Sequence, residues 1–108
     1  GEAENGKMAV FMARKIKPDM IIMDISMPVM NGIEATIQIM DQTPAMKIIA
    51  TSVHYQKIIV DSIINNGAAG FVLKDSLSDE LVSAIEAVNN DSVYISSAVG
   101  KQNLYINQ

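Results

Sequence analysis

The chain has 108 residues, of which 49% are hydrophobic, and it carries a net charge of −4, no cysteine and one histidine. This size suits one domain with a single core, and the composition excludes disulfides, thiolate metal sites and histidine-rich metal sites. The 8 basic residues form no extended cluster, which argues against direct nucleic-acid binding, and the lack of a long apolar run or a signal-peptide pattern predicts a cytoplasmic protein without a membrane span.

Apolar runs alternate with helical patterns along the chain. Pro18 ends the first helix, Gly67 suits the left-handed position after the third, and Ser78 is expected to cap the fourth, with acids at 79 and 80 in its first turn. The predicted elements are a helix over 6–17, a strand over 20–24, a helix from 32 or 33, a strand over 46–51, a helix over 56–66, a strand over 70–74, a helix from 78 that ends at 89–91, and a short extended piece at 94–95.

This alternation predicts a three-layer α/β domain, in which right-handed crossovers place helices on both faces of a parallel sheet. Polar residues stand where the strands end: Asp24 after the first run, Thr51 and Ser52 after the second, and Lys74 after the third. Because parallel strands share one carboxyl edge, a carboxylate, a hydroxyl and an ammonium are expected to converge there. Open α/β sheets bind ligands at this edge.

Several blocks of sequence, taken together, are specific enough to indicate a protein family. They are residues 1–6, 17–19, 23–28 with 31–35, 47–54, 67–75, and 80–81 with 84–85. In this order the chain resembles the receiver domain of two-component response regulators, in the subgroup named for the nitrate and quorum-sensing regulators (NarL/LuxR type). The resemblance implies a flavodoxin-like (CheY-like) doubly wound sheet. It also implies that residues 1–108 are a receiver domain alone, without an output domain.

The resemblance assigns a role to each residue of the carboxyl edge. Asp24 is implied to be the phosphoacceptor, which takes a phosphoryl group from a histidine of a sensor kinase. Lys74 pairs with a phosphoryl oxygen as a point charge, and Ser52 donates its hydroxyl to another. Thr51 is the competing candidate for that hydroxyl, although the alignment of 48–50 favours Ser52. Phe71 stands at the position of a switch aromatic, and plain core packing is an equal alternative.

The same resemblance predicts a weakened metal site. Mg²⁺ would be held by Asp24 and by the backbone carbonyl of Ser26. The family's acidic pair stands at the end of a first, central strand, which this chain is expected to lack, because Glu2 and Glu4 align with the second strand. In the family order 2-1-3-4-5 the loss leaves an unpaired edge along residues 20–23. We therefore expect an N-terminally incomplete sheet and Mg²⁺ binding that is weak or absent.

Three functions follow from these observations. The first is a phosphoacceptor domain that switches an output module, which is expected to be a DNA-binding transcriptional module, so that DNA is an indirect partner. The second is a receiver-like module that works without phosphate, as a homodimer or a strand-exchanged dimer. The third, a phosphatase acting through an aspartyl phosphate, is disfavoured because position 26 is Ser and not a general acid. A receiver of this kind is no enzyme beyond weak self-catalysed phosphorylation and dephosphorylation.

Overall fold

The computed structural model of the chain describes residues 2–3, 20–25, 32–53 and 56–96. Helices and strands alternate through these ranges, as the hydrophobic pattern predicts. The elements are β1 (Glu2–Ala3), β2 (Met20–Asp24), α1 (Gly32–Gln42), β3 (Lys47–Ser52), α2 (Lys57–Asn65), β4 (Gly70–Leu73), a 3₁₀ turn (Lys74–Ser76), α3 (Leu77–Asn89) and β5 (Tyr94–Ile95). The helix predicted over 6–17 lies outside the described residues.

The described strands form one parallel sheet in the order β1-β2-β3-β4-β5. Side chains alternate between the two faces of each strand, and both faces of this sheet are apolar. Helices α1 and α2 pack on one face, where Ile39 and Ile63 join a buried cluster with Ile48 and Phe71. Helix α3 covers the other face, where its Val88 packs on the sheet. The three-layer α/β prediction is confirmed.

The outer edge of β2 is not the open edge that the sequence predicts. Strand β1 pairs with it in parallel, with Glu2 opposite Ile22 and Ala3 opposite Met23. When the family's first strand is left out, its order 2-1-3-4-5 becomes 2-3-4-5, which agrees with the chain order of the strands observed here. The physical reason is that backbone donors and acceptors along a sheet edge need partners, and β1 supplies them at two positions. The prediction of an unpaired edge along 20–23 is therefore wrong at Ile22 and Met23.

Helices α2 and α3 end in the same way. After α2, Gly67 has a φ of 113°, its N–H donates to Ile64 O at 3.0 Å, and the next N–H donates to Ile63 O at 3.1 Å. This is the Schellman arrangement, which favours glycine at the left-handed position. The prediction for Gly67 is confirmed. After α3 the equivalent residue is Asp91, with a φ of 63°.

Helix α3 begins differently from the prediction. Ser78 lies inside the helix, because the 3₁₀ turn Lys74–Ser76 leads directly into Leu77. Ser76 occupies the capping position and makes no side-chain capping hydrogen bond. The 3₁₀ turn provides backbone bonds at the point where a capping side chain was expected. No helix among the described residues is long and apolar enough to cross a membrane.

Candidate functional site

The carboxyl edge of the sheet holds an ion pair between two strands that are not neighbours. Asp24 is the last residue of β2, and Lys74 directly follows β4. Lys74 Nζ donates to Asp24 Oδ2 at 2.8 Å. Because β3 lies between these strands, the lysine side chain must reach across the end of β3. The sequence prediction that these two side chains converge is confirmed.

The pair is open to solvent on its outer side. The Lys74 side chain is 50% exposed and that of Asp24 is 24% exposed. A carboxylate with this accessibility can be approached by a small anionic molecule, and the ammonium beside it offsets part of the repulsion between the two anions. The pair is therefore a point at which a negatively charged group can be received.

Strand β3 fixes the backbone around Asp24. Thr51 is the register partner of Asp24, and its carbonyl accepts a hydrogen bond from the N–H of Ile25 at 2.9 Å. Ser52, the last residue of β3, stands opposite Leu73. Thr51 and Ser52 are both buried. Both hydroxyl candidates of the sequence prediction thus lie at this edge.

The two hydroxyl residues belong to opposite faces of the sheet. In β3, Ile48 and Ala50 belong to the cluster under α1 and α2, whereas Ile49 belongs to the cluster under α3. Alternation along the strand then assigns Thr51 to the α3 face and Ser52 to the α1–α2 face. The site has one hydroxyl residue on each side of the end of β3.

Phe71 is fully buried. It stands opposite Ala50 in the sheet and belongs to the core cluster beneath α1 and α2. The structure therefore shows Phe71 as a core side chain near the site, and its role as a switch aromatic stays a prediction.

The described residues supply little for a metal ion. The Mg²⁺ ion that the resemblance implies prefers several oxygen ligands in octahedral geometry. Asp24 offers one carboxylate, and the described part of the chain contains no group of three or more His, Cys, Asp or Glu residues that could hold a metal ion. Ser26, the other predicted ligand, lies outside the described residues. The donors among the described residues therefore do not by themselves make a Mg²⁺ site.

A second polar cluster joins α3 to β5, and the sequence gives no sign of it. Glu80 accepts hydrogen bonds from Tyr94 Oη at 2.6 Å and from Ser96 Oγ at 2.9 Å. The bond to Glu80, partial burial and the charge of Glu80 together raise the pKa of Tyr94 to about 12. The helix-dipole interpretation of Glu80 missed this role, because the contact depends on how β5 returns to the sheet.

Comparison with known proteins agrees with this geometry. Residues 1–86 match the family description "Response regulator receiver domain". The transcriptional regulatory protein DegU of Brevibacillus brevis is 36% identical over 87% of this chain and 40% of its own length. The response regulator UvrY of Escherichia coli K12 is 38% identical over 94% of this chain and 47% of its own. The chain thus spans about half the length of the curated relatives it matches, or less.

Solved structures show the same fold. A two-component response regulator of the LuxR family from Aurantimonas sp. SI85-9A1 superposes with a TM-score of 0.84 at 31% identity, over 92% of this chain and 71% of that one. The signal receiver domain of the putative response regulator NarL from Mycobacterium tuberculosis superposes with a TM-score of 0.72 at 32% identity, over 82% of this chain and 71% of that one.

Proposed function

Because this chain belongs to the response regulator receiver domain family, we propose that it accepts a phosphoryl group on Asp24 from a histidine of a sensor kinase. The contact between Lys74 Nζ and Asp24 Oδ2 at 2.8 Å carries the proposal. It joins the two residue types that the chemistry requires, a carboxylate nucleophile and a cation that offsets charge. It does so at the sheet edge where α/β domains bind ligands.

The proposed reaction is a displacement at phosphorus. An oxygen of the Asp24 carboxylate forms a bond to phosphorus as the phosphorus–nitrogen bond of the phosphohistidine breaks, and the electron pair of that bond leaves with the imidazole. The product is an aspartyl phosphate. Catalysis of such a transfer consists mainly of positioning and charge stabilisation, for which Lys74 supplies a point charge and Ser52 a hydroxyl donor at the adjoining strand end.

Phosphorylation raises the negative charge at the site, because a carboxylate with one charge is replaced by a phosphoryl group that carries about −1.5 to −2. The Lys74 ammonium is then attracted more strongly to the phosphoryl oxygens than to Asp24 Oδ2. Since Lys74 begins the 3₁₀ turn that leads into α3, its displacement bears directly on the start of that helix. We propose that this displacement shifts the population between two conformations of the domain.

The relatives that this chain matches are transcriptional regulators. We propose that the conformational shift in this domain controls transcription through an output module of the same kind of protein. DNA is then an indirect partner, and the direct partner is the sensor kinase.

Incubation with acetyl phosphate and Mg²⁺, followed by mass measurement of the intact protein, tests the proposal. The wild type is expected to gain one phosphoryl group, and Asp24→Asn is expected to gain none. Asp61→Asn is the matched control, because Asp61 is an exposed acid on α2 that pairs with Lys57 and is expected to leave incorporation unchanged. Equal incorporation in wild type and Asp24→Asn, or none in the wild type, contradicts the proposal.

A further inference from the structure

We propose that Thr51 is a positioning residue of this site, whose Oγ1 accepts a hydrogen bond from the Lys74 ammonium as the incoming phosphoryl group draws that ammonium off the Asp24 carboxylate. The inference rests on the proposed function of Asp24. It concerns a residue distinct from Ser52, on the opposite face of the same strand end.

The position of Thr51 is the first support. It is the register partner of Asp24 on one side and of Val72 on the other. Alternation places Asp24 on the face of Met20 and Ile22, which is the α3 face, and Thr51 lies on the same face. Thr51 therefore lies on β3, between Asp24 at the end of β2 and Lys74 just after the end of β4.

The path of Lys74 is the second support. To reach Asp24 Oδ2 from the end of β4, its side chain must span the width of β3, and two strand spacings amount to about 9.6 Å. The ion pair consequently lies across the end of β3. This covering position accounts for the burial of Thr51, which is 3% exposed although it is next to last in its strand.

The state of the Thr51 hydroxyl is the third support. Among the described residues we find no hydrogen bond of Thr51 Oγ1. The other buried threonine, Thr36, satisfies its hydroxyl by donating to Gly32 O at 2.7 Å. A buried hydroxyl without a partner is destabilising, and valine would fill the same volume without that penalty. Within the described ranges the Thr51 hydroxyl thus lacks a hydrogen-bond partner, and it belongs to the strand end that the Lys74 side chain crosses.

The chemistry of Lys74 completes the argument. An ammonium has three donors and no acceptor, so it can bind a phosphoryl oxygen and a hydroxyl at the same time. With Thr51 Oγ1 as the second acceptor, the ammonium is held between the α3 face of β3 and the phosphoryl group. Thr51 then sets the geometry of Lys74 without touching the reacting atoms.

The test compares the initial rates of phosphorylation by acetyl phosphate in Mg²⁺ buffer. Thr51→Val, which keeps the shape and removes the hydroxyl, is expected to slow the reaction by about tenfold, the size expected for losing one hydrogen bond to a charged group. Thr51→Ser, which restores a hydroxyl, is expected to stay within about twofold of wild type on the same scale. Thr36→Val is the control for loss of a buried threonine hydroxyl elsewhere and is expected to leave the rate unchanged. If Thr51→Val does not fold, Thr51→Ala is compared with Thr51→Ser in its place.

A double-mutant cycle separates positioning from a general effect on structure. In a Lys74→Met background the Thr51→Val substitution is expected to cause no further slowing, because the ammonium that Thr51 positions is absent. Equal slowing in both backgrounds, or a Thr51→Val rate equal to that of wild type, overturns the role of Thr51 and leaves the proposed function of Asp24 standing. A wild type that takes no phosphate overturns both.

Discussion

The C-terminal ends of α2 and α3 have equivalent geometry, and a substitution at each is expected to change the free energy of unfolding in opposite directions. Gly67 and Asp91 each follow a helix in a left-handed conformation, with φ values of 113° and 63°. We predict that Gly67→Ala lowers the free energy of unfolding and that Asp91→Gly raises it. Because both residues occupy the same place in the same motif, each substitution serves as the control for the other.

The expected loss at Gly67 follows from three contributions. A left-handed conformation costs a residue with a Cβ about 1–2 kcal/mol. The new Cβ would lie 2.8 Å from Cγ and 3.3 Å from Cε of Met40, so this flexible side chain must shift. The lower entropy of the unfolded chain returns about 0.4–1 kcal/mol. The first and third contributions leave a loss of about 0–1.6 kcal/mol, and the shift forced on Met40 adds to it, so we expect a total loss of about 1 kcal/mol or more.

The expected gain at Asp91 is smaller. Glycine relieves the left-handed strain but increases the entropy lost on folding. The substitution also removes the ion pair with Lys47, in which the atoms are 3.7 Å apart and the Asp91 side chain is 90% exposed. An exposed pair of this kind contributes little, and an acid near a helix C-terminus opposes the helix dipole. We expect a gain of about 0.5 kcal/mol.

Urea unfolding followed by circular dichroism measures both changes. The urea midpoint is expected to fall for Gly67→Ala and to rise for Asp91→Gly, and the slope of the unfolding free energy against urea concentration is expected to stay unchanged. For a domain of this size, 1 kcal/mol corresponds to a shift of about 4–8 °C in Tm. Midpoints that move in the same direction, or a Gly67→Ala variant as stable as wild type, would refute the reasoning from backbone conformation.

Three further outcomes are expected. Tyr94, with its pKa raised from 10.0 to about 12 by the bond to Glu80, contributes stability that is complete below pH 10 and is lost as the pH rises toward 12. An absorbance titration should show one tyrosine ionising near pH 12 that is missing in Tyr94→Phe, and ionisation of every tyrosine near pH 10 in the folded protein speaks against this. Glu80→Ala should lower the free energy of unfolding by about 2 kcal/mol in thermal unfolding, because two hydroxyls lose their acceptor. The control Glu86→Ala, at an exposed position on the same helix, should lower it by less than about 0.5 kcal/mol, and equal losses contradict the role of Glu80. Phe71→Leu should lower the free energy of unfolding by about 1–1.5 kcal/mol, because less apolar surface is buried, while the rate of phosphorylation by acetyl phosphate stays within about twofold of wild type. A larger change in this rate would indicate that Phe71 takes part in phosphorylation and not only in core packing.

The parts of this structure that sequence predicts are those set by local patterns. Runs of apolar residues bounded by turn residues gave β2, β3 and β4 within one residue of their observed ends. The convergence of Asp24 and Lys74 follows from parallel topology alone, since parallel strands end at one edge. Gly67 was predictable because few other residues suit a left-handed helix end.

The parts that sequence did not predict depend on contacts between distant segments. The bond from Tyr94 to Glu80 exists because β5 pairs with β4 beside α3. The pairing of β1 with β2 involves two residues, too few to leave a periodic signal in the sequence. Serine is a favoured N-cap residue, which suggested Ser78, but the preceding 3₁₀ turn leads into the helix one residue earlier.

The match between strand order and chain order has a consequence for how the protein assembles. Each described strand pairs with strands one crossover away in the chain, so no pairing requires closure of a loop longer than a single crossover. Each pairing nevertheless joins residues 20–27 positions apart, and parallel pairings of this separation form more slowly than the local contacts within helices. The contact between Asp24 and Lys74 spans 50 residues and two such pairings, and it forms only when β2, β3 and β4 are all aligned. A half-folded chain that has paired β2 with β3 alone therefore carries Asp24 without its lysine.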